Sequence, residues 1–382
     1  MTPKKTCQKS NDKKNGIVMG INMAIVEKDL ANLGNIQKEK RDLFTFAKTT
    51  KINNRRYLGN KYKLLPFIKT IVEKECSDIR VVADIFAGTG AVASAFSDKT
   101  LITNDSLYSN YLCHLTWFCP LPFSPLKIET LLSFYNQIPS MEDNYMSECF
   151  GDTFFDVENC KKIGFIREDI ENKARTQQIN TRERAILLTS LLYAMDKIAN
   201  TCGHYDAYRK GGLENKPIEL LLPLISDSLN ENNQCFHEDA NELVKKIEAD
   251  LVYIDPPYNS RQYCDAYHLL ENIARWEKPH VTGVAKKMER TNLKSEYCTN
   301  NASTAFGNLI NDITARYILV SYNNMANKGN DRSNAKIKEE YILENLSQKG
   351  SVKVFKHSYK PFTTGKSDIK NHEERLYLCK CK

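Results

Sequence analysis

Hydrophobic positions along the chain follow two rhythms. Short apolar runs stop abruptly at acids, glycines or prolines: Val81-Val82-Ala83-Asp84-Ile85, Thr100–Asn104, Ala249–Ile254, Tyr317–Tyr322, Val352–His357 and Arg375–Cys379. Runs of this kind, bounded by turn residues, predict strands. Between them the apolar residues recur at helical spacing. Leu64, Leu65, Ile68, Ile71 and Val72 form one face after a loop at 55–62, and Ile186, Leu187, Leu191, Leu192, Met195 and Ile198 mark a helix over Arg182–Ala199. Strand, glycine turn, helix and strand in succession predict a parallel sheet that binds ligands at the carboxyl ends of its strands. The last two strands can pair as a hairpin across a polar loop. The predicted fold class is therefore α/β, mostly parallel, with an antiparallel C-terminal hairpin.

The alternation breaks between residues 110 and 230. That stretch is aromatic and polar, with an acidic segment at 142–171. A loop so long inside a compact domain usually carries function, so the layout reads as three parts. Residues 1–54 form a basic N-terminal extension, disordered over 1–16 and apolar over 17–26, with Met1, Met19 and Met23 all candidate starts. Residues 55–109 and 231–382 form the sheet domain, and 110–230 is an insertion.

Composition excludes several classes. With 41% apolar and 26% charged residues the chain is globular. It has no apolar run of membrane-spanning length and no secretory leader, which predicts a cytoplasmic protein without membrane contact. The twelve cysteines include no C-x-x-C pair, so zinc-ligand spacing is missing and no metal site is expected. The net charge of +7 is concentrated at the two ends. Basic ends bind phosphate or serve as solvated tails, and charge alone favours the second use.

The chemistry lies where the strands stop. Asp84-Ile85-Phe86-Ala87-Gly88-Thr89-Gly90 lacks the third glycine of a dinucleotide turn and the Gly-Lys-Ser/Thr of a phosphate loop. Its glycines permit a sharp turn and close approach to a ligand, although plain turn chemistry explains them equally well. Asp105, ending the next strand, suits ribose hydroxyls or a helix cap about equally. Asp255-Pro256-Pro257-Tyr258 is more specific. Two prolines stiffen the backbone and remove two N–H donors, so the carboxylate and a proline carbonyl can both point outward as acceptors. An exocyclic amine needs two acceptors, and Tyr258 supplies a flat face. The residues together make a socket for a nucleobase amino group.

In this order the motifs resemble those of the Dam-like adenine-N6 DNA methyltransferases, the alpha arrangement or D12 class, over most of residues 55–382. Arg56-Tyr57-Leu58-Gly59-Asn60-Lys61-Tyr62 is similar to the N-terminal cofactor motif, and Asp84–Gly90 to the glycine turn for S-adenosyl-L-methionine. Asp255–Tyr258 matches the catalytic tetrapeptide, Asn259–Leu270 the wall that follows it, and Ser321-Tyr322-Asn323 a later strand end. The resemblance implies a Rossmann-like S-adenosylmethionine-dependent methyltransferase sheet with 110–230 as a target-recognition insertion. It implies that Tyr57, Gly59 and Lys61 meet the methionine end of the cofactor, with Lys61 near its carboxylate. Asp84, Phe86, Ala87, Gly88, Thr89 and Gly90 would cradle the cofactor, Asp105 would hold its ribose and Asp239 its adenine amine. The sequence departs from the family at Ala240, where an aromatic is common, and at Ile85, where proline is.

The implied activity is site-specific methylation of adenine N6 in double-stranded DNA, with the base flipped out of the helix. A monomer is expected, with a cognate restriction endonuclease as partner at the same site. Candidate DNA contacts are Arg175, Gln178, Arg182, Arg184, Tyr205, Arg209 and Lys210 in the insertion, with Arg261 and Lys360 outside it; Arg and Gln suit base edges and Lys suits phosphate. Cytosine-N4 methylation is disfavoured because serine usually stands where Asp255 does. RNA methylation and a catalytically silent DNA-binding subunit remain alternatives, the latter without the damaged motif that would mark it.

Overall fold

The structure is a computed structural model described over residues 48–139, 141–211, 213, 216–226, 228–323, 335–358 and 373–382. The expectations for the first 47 residues and for Lys360 lie outside these.

Among the described residues the strands are β1 (Thr49–Thr50), β2 (Val81–Asp84), β3 (Thr100–Asn104), β4 (Leu222–Pro223), β5 (Gln234–Phe236), β6 (Glu248–Ile254), β7 (Thr314–Asn323), β8 (Gly350–Ser358) and β9 (Glu373–Cys381). Seven form the central sheet in the order β5-β3-β2-β6-β7-β9-β8, while β1 and β4 pair separately. β5, β3, β2, β6 and β7 run parallel, and β9 enters antiparallel between β7 and β8. Every predicted strand is present, and the last two form the expected hairpin. The order reverses between β2 and β6, so a crevice opens beyond their carboxyl ends. Asp84 closes β2 opposite Tyr253, which brings Asp84 and Asp255 to the same mouth.

The helices are α1 (Leu65–Glu75), α2 (Ala91–Ser94), α3 (Tyr108–Phe118), α4 (Pro125–Gln137), α5 (Tyr145–Phe150), α6 (Val157–Arg175), α7 (Thr181–Ile198), α8 (Ala240–Leu243), α9 (Tyr263–Ala266), α10 (His268–Arg275), α11 (Ala302–Asp312) and α12 (Glu339–Lys349). One sheet face packs on α11 and α12 through Phe306, Leu309, Ile342 and Leu346. The other meets α1 and α3, where Ile68, Val72, Trp117 and Phe118 lie against Leu251 and Leu319.

The stretch 110–230 is largely helical. Its boundary at 110 falls inside α3, and its core is shared. Ile128, Phe150, Ile163, Leu187 and Leu191 pack in one cluster with Leu269, Leu270, Ile273 and Trp276. Residues 49–382 form one compact unit. Burying these side chains against α9 and α10 removes them from water, which makes the helical layer integral to the sheet domain. Among the described residues no helix is long and apolar enough to cross a membrane.

Candidate active site

Asn104, 1% exposed, draws three strand ends together. Its amide donates to the carbonyls of Ile85 and Glu238, both at 3.1 Å, and its oxygen accepts from Glu238 N at 3.0 Å. The glycine turn follows from this anchor. Gly88 (φ +54°) and Gly90 (φ +84°) occupy left-handed backbone that favours glycine. A Cβ on Gly90 would lie 2.7 Å from the Phe118 ring, and one on Gly88 would lie 3.1 Å from Tyr57. Asp105 fastens the turn by accepting from Gly88 N at 2.9 Å and from Leu107 N at 2.8 Å.

The segment before α1 is held by aromatic and charged packing. Arg55, 2% exposed, donates to Asp196 at 3.2 Å and to Asn110 at 3.1 Å, and its guanidinium lies 5.5 Å from the Tyr57 ring centre. Tyr57 stacks on Tyr267 at 4.6 Å and accepts from Asn110 at 2.9 Å. The Tyr267 hydroxyl accepts from Leu58 N at 2.7 Å. These contacts deliver Gly59 and Lys61 to the crevice mouth.

The crevice holds a cavity of about 440 Å³, lined by Tyr57, Gly59, Lys61, Asp84, Phe86, Ala87, Gly88, Thr89, Asp105, Asp239, Asp255 and Pro257 among others. That size suits a small-molecule site. Of the expected cofactor residues only Gly90 is absent from the lining; it supports the turn from behind. Asp239 is exposed and caps α8, accepting from Asn241 N at 2.8 Å. Beside it Phe86 and Tyr297 meet edge to face at 5.0 Å, placing aromatic surface where Ala240 supplies none.

Lys61 lines the cavity and turns toward two carboxylates. Its ammonium stands 3.0 Å from Asp255 Oδ1 and 3.1 Å from Glu374 Oε1, donates to the Tyr258 hydroxyl, and lies 4.6 Å from that ring's centre. Two carboxylates draw the ammonium inward, away from any more distant anion. Tyr258 also points inward, with its hydroxyl 2.7 Å from Asp255 Oδ1 and 2.5 Å from Glu374 Oε1. Its ring packs edge-on against Tyr322 at 4.8 Å. Glu374, on β9, was not among the residues expected from sequence, and neither was Arg55.

Burial dominates the electrostatics. It pushes the Asp255 carboxyl up to about 6; Lys61 opposes the rise and Glu374 adds to it. Burial likewise lifts Asp105 to about 6, against the hydrogen bonds it accepts. Asp84 is raised well above the ordinary range by burial and by the neighbouring Asp255, and its Oδ1 has no partner among the described residues. Burial opposes ionisation of Lys61 and Glu374 as well. Their pairing outweighs it, raising the lysine and lowering the glutamate.

The expected DNA contacts separate into two groups. Arg182 is 5% exposed, donates to the Leu121 carbonyl at 2.5 Å and stacks over Phe123 at 4.7 Å. It lies beyond the far end of α3, about 15 Å of helix from the residues lining the cavity. Arg184 is spent on Glu171 and Tyr108, and Tyr205, 1% exposed, donates to Asp196 at 2.8 Å. Arg182 and Tyr205 are buried in the helical layer, and Arg184 is half-buried there. Arg175 and Gln178 are exposed at the end of α6. Arg209, Lys210 and Arg261 are also exposed. The loop carrying Arg209 and Lys210 is tied through Asp206 to Lys287 at 2.8 Å, in the segment that runs on to the cavity lining. Asn292, Leu293, Lys294 and Ser295 of that segment line the cavity.

The sheet order, and one cavity at the point where it reverses, define an α/β protein of the methyltransferase type. The chain belongs to the D12 class N6 adenine-specific DNA methyltransferases, whose family model matches residues 57–332. Among its relatives, modification methylase StsI of Streptococcus sanguinis is 37% identical over 338 residues, covering 83% of this chain and 50% of that protein. Type II methyltransferase M.NlaIII of Neisseria lactamica is 32% identical over 331 residues, covering 83% and 95%. Type II methyltransferase M.FokI of Planomicrobium okeanokoites is 32% identical over 340 residues, covering 84% and 51%. The chain thus spans about half the length of the first and third of these.

Proposed function

We propose that this protein methylates adenine N6 at specific sites in double-stranded DNA, using S-adenosyl-L-methionine, and protects that DNA from a restriction endonuclease acting at the same sequence. The observation that carries this reading is the placement of Asp255 and Pro257 on the same 440 Å³ cavity as the glycine turn and Asp105. The relatives' names, as modification methylases and type II methyltransferases, support the protective role.

The cavity residues fit the cofactor. Asp84, whose buried Oδ1 has no partner among the described residues, suits an ammonium group. Asp105 suits a ribose, and Asp239 an adenine amine. Gly88 allows the backbone to come close where a side chain would strike Tyr57. When bound, the cofactor supplies an activated methyl group, so neither a metal nor a covalent nucleophile is needed.

The chain's own residues do the rest. The lone pair of an adenine amine is delocalised into its ring. Asp255 and the Pro256 carbonyl accept the two amine hydrogens and favour a pyramidal nitrogen. The ionised Asp255 would also stabilise positive charge as the nitrogen–methyl bond forms and the methyl–sulfur bond breaks, a preorganised electrostatic contribution, and the methylated nitrogen would then release one proton to solvent. Holding both reactants in one cavity supplies proximity. A duplex hides this amine, so the base is flipped out, and Tyr258 swings from Asp255 to stack on it. Arg209, Lys210, Arg261 and Lys294 grip phosphates at the rim.

The test is transfer of methyl groups to random-sequence duplex DNA, followed by mapping of each modified base. One short motif with a single modified adenine is expected. Modification scattered without a motif contradicts site specificity, and modification of single-stranded RNA alone contradicts the substrate.

A further inference from the structure

A second carboxylate is sealed beside Asp255. Glu374 is 3% exposed and stands in phase with Leu376 and Leu378, both buried, on β9. Its Oε1 gathers three donors: Ser321 Oγ at 2.9 Å, the Tyr258 hydroxyl at 2.5 Å and Lys61 Nζ at 3.1 Å. Two of these also touch Asp255 Oδ1. A phenol carries one proton and serves one carboxylate at a time, whereas an ammonium carries three and serves both. Among the described residues no hydrogen bond reaches Asp255 Oδ2.

We propose that Glu374 is a positioning residue, holding Lys61 and Tyr258 to one side of Asp255 so that Asp255 can be surrendered to the target amine. This rests on reading Asp255 as the amine acceptor. With Glu374 present, the ammonium is divided between two anions and the hydroxyl has somewhere else to go. Without it, Lys61 binds Asp255 undivided, and a neutral amine competes poorly with an ammonium. The charge balance points the same way. One cation between two carboxylates leaves one net negative charge facing the nitrogen that becomes positive, and a glutamine in place of Glu374 cancels it.

Asp255 is faced by Lys61, Tyr258 and Glu374 directly, and by Asp84, Tyr253 and Tyr263 more remotely. Glu374→Gln removes a charge that raises Asp255. The acid limb of kcat is therefore expected to move to lower pH, while kcat at pH 8 falls tenfold or more. KM for S-adenosylmethionine and for DNA should stay within threefold. Glu374→Asp keeps the charge and restores part of kcat. If Glu374→Gln does not fold, Ser321→Ala loosens one of the three donors and lowers kcat threefold or more at unchanged KM. A folded Glu374→Gln enzyme with the wild-type kcat and acid limb overturns the proposal, as does a Ser321→Ala enzyme with the wild-type kcat. Asp255→Ala run alongside separates the two readings: its residual activity at the wild-type level sinks the acceptor role itself, whereas an inactive Asp255→Ala beside an unaffected Glu374→Gln sinks only the positioning role.

Discussion

Asp255→Asn should stabilise the protein while abolishing methyl transfer. Burial lifts this carboxyl to about 6, from an ordinary value near 4. At about 1.4 kcal/mol for each factor of ten, the ionised form costs the fold about 3 kcal/mol. The amide mimics the neutral form and escapes that cost. Lys61 keeps Glu374 as a partner, so no ammonium is left unpaired. The sign follows from proton occupancy. Between about pH 4 and 6 the folded state holds this proton and the unfolded state does not, so wild-type stability falls as pH rises through that window. The advantage of the variant is therefore absent below pH 4, opens between 4 and 6, and is constant above 6. Urea unfolding of both proteins at pH 4, 5, 6 and 8 reads it directly, and a methyl-transfer assay at pH 8 should show a loss of at least about a hundredfold. A variant no more stable than wild type at pH 8, or an advantage that ignores pH, would refute the reasoning.

Other outcomes follow from the same geometry. The cofactor carries positive charge and the Asp105 carboxyl titrates at about 6, so its affinity by calorimetry should weaken about tenfold from pH 8 to pH 5, as the carboxylates take up protons. Gly90→Ala places a Cβ 2.7 Å from Phe118 in left-handed backbone; it should cost about 1–3 kcal/mol in unfolding and weaken cofactor binding. Arg261→Ala with Lys294→Ala should each lower the salt slope of DNA binding by about one, without loss of thermal stability. Arg182→Ala should do the reverse, destabilising the fold by about 1–3 kcal/mol and leaving the salt slope intact.

The inner strands were legible because β2, β3, β6 and β7 are largely buried, and because β2, β3 and β6 end in residues with their own chemistry. Val81–Ala83 and Leu251–Ile254 are apolar runs that end at Asp84 and Asp255, and the acids converge because β2 and β6 are parallel neighbours. The helical layer was harder to read. Arg182, Arg184 and Tyr205 read in sequence as candidate DNA contacts, yet their partners are Leu121, Glu171 and Asp196, contacts that no local pattern announces. Glu374 was hidden by a basic C-terminal stretch, which reads as a surface. The signal that could have found it is its phase: a period of two from Leu378 and Leu376 falls on Glu374, and a charged residue in step with buried leucines needs a partner. Lys61 lines the cavity, and its direction depends on that same unseen carboxylate.

Nucleoside analysis tests the central claim most directly. Unmodified genomic DNA is incubated with the protein and S-adenosylmethionine, digested to nucleosides and resolved by mass spectrometry, with Asp255→Ala as the paired control. N6-methyladenine formed by the wild-type protein alone is the expected result. N4-methylcytosine, or N6-methyladenine formed equally by Asp255→Ala, would contradict the base socket, and no modified nucleoside at all would contradict the proposed reaction.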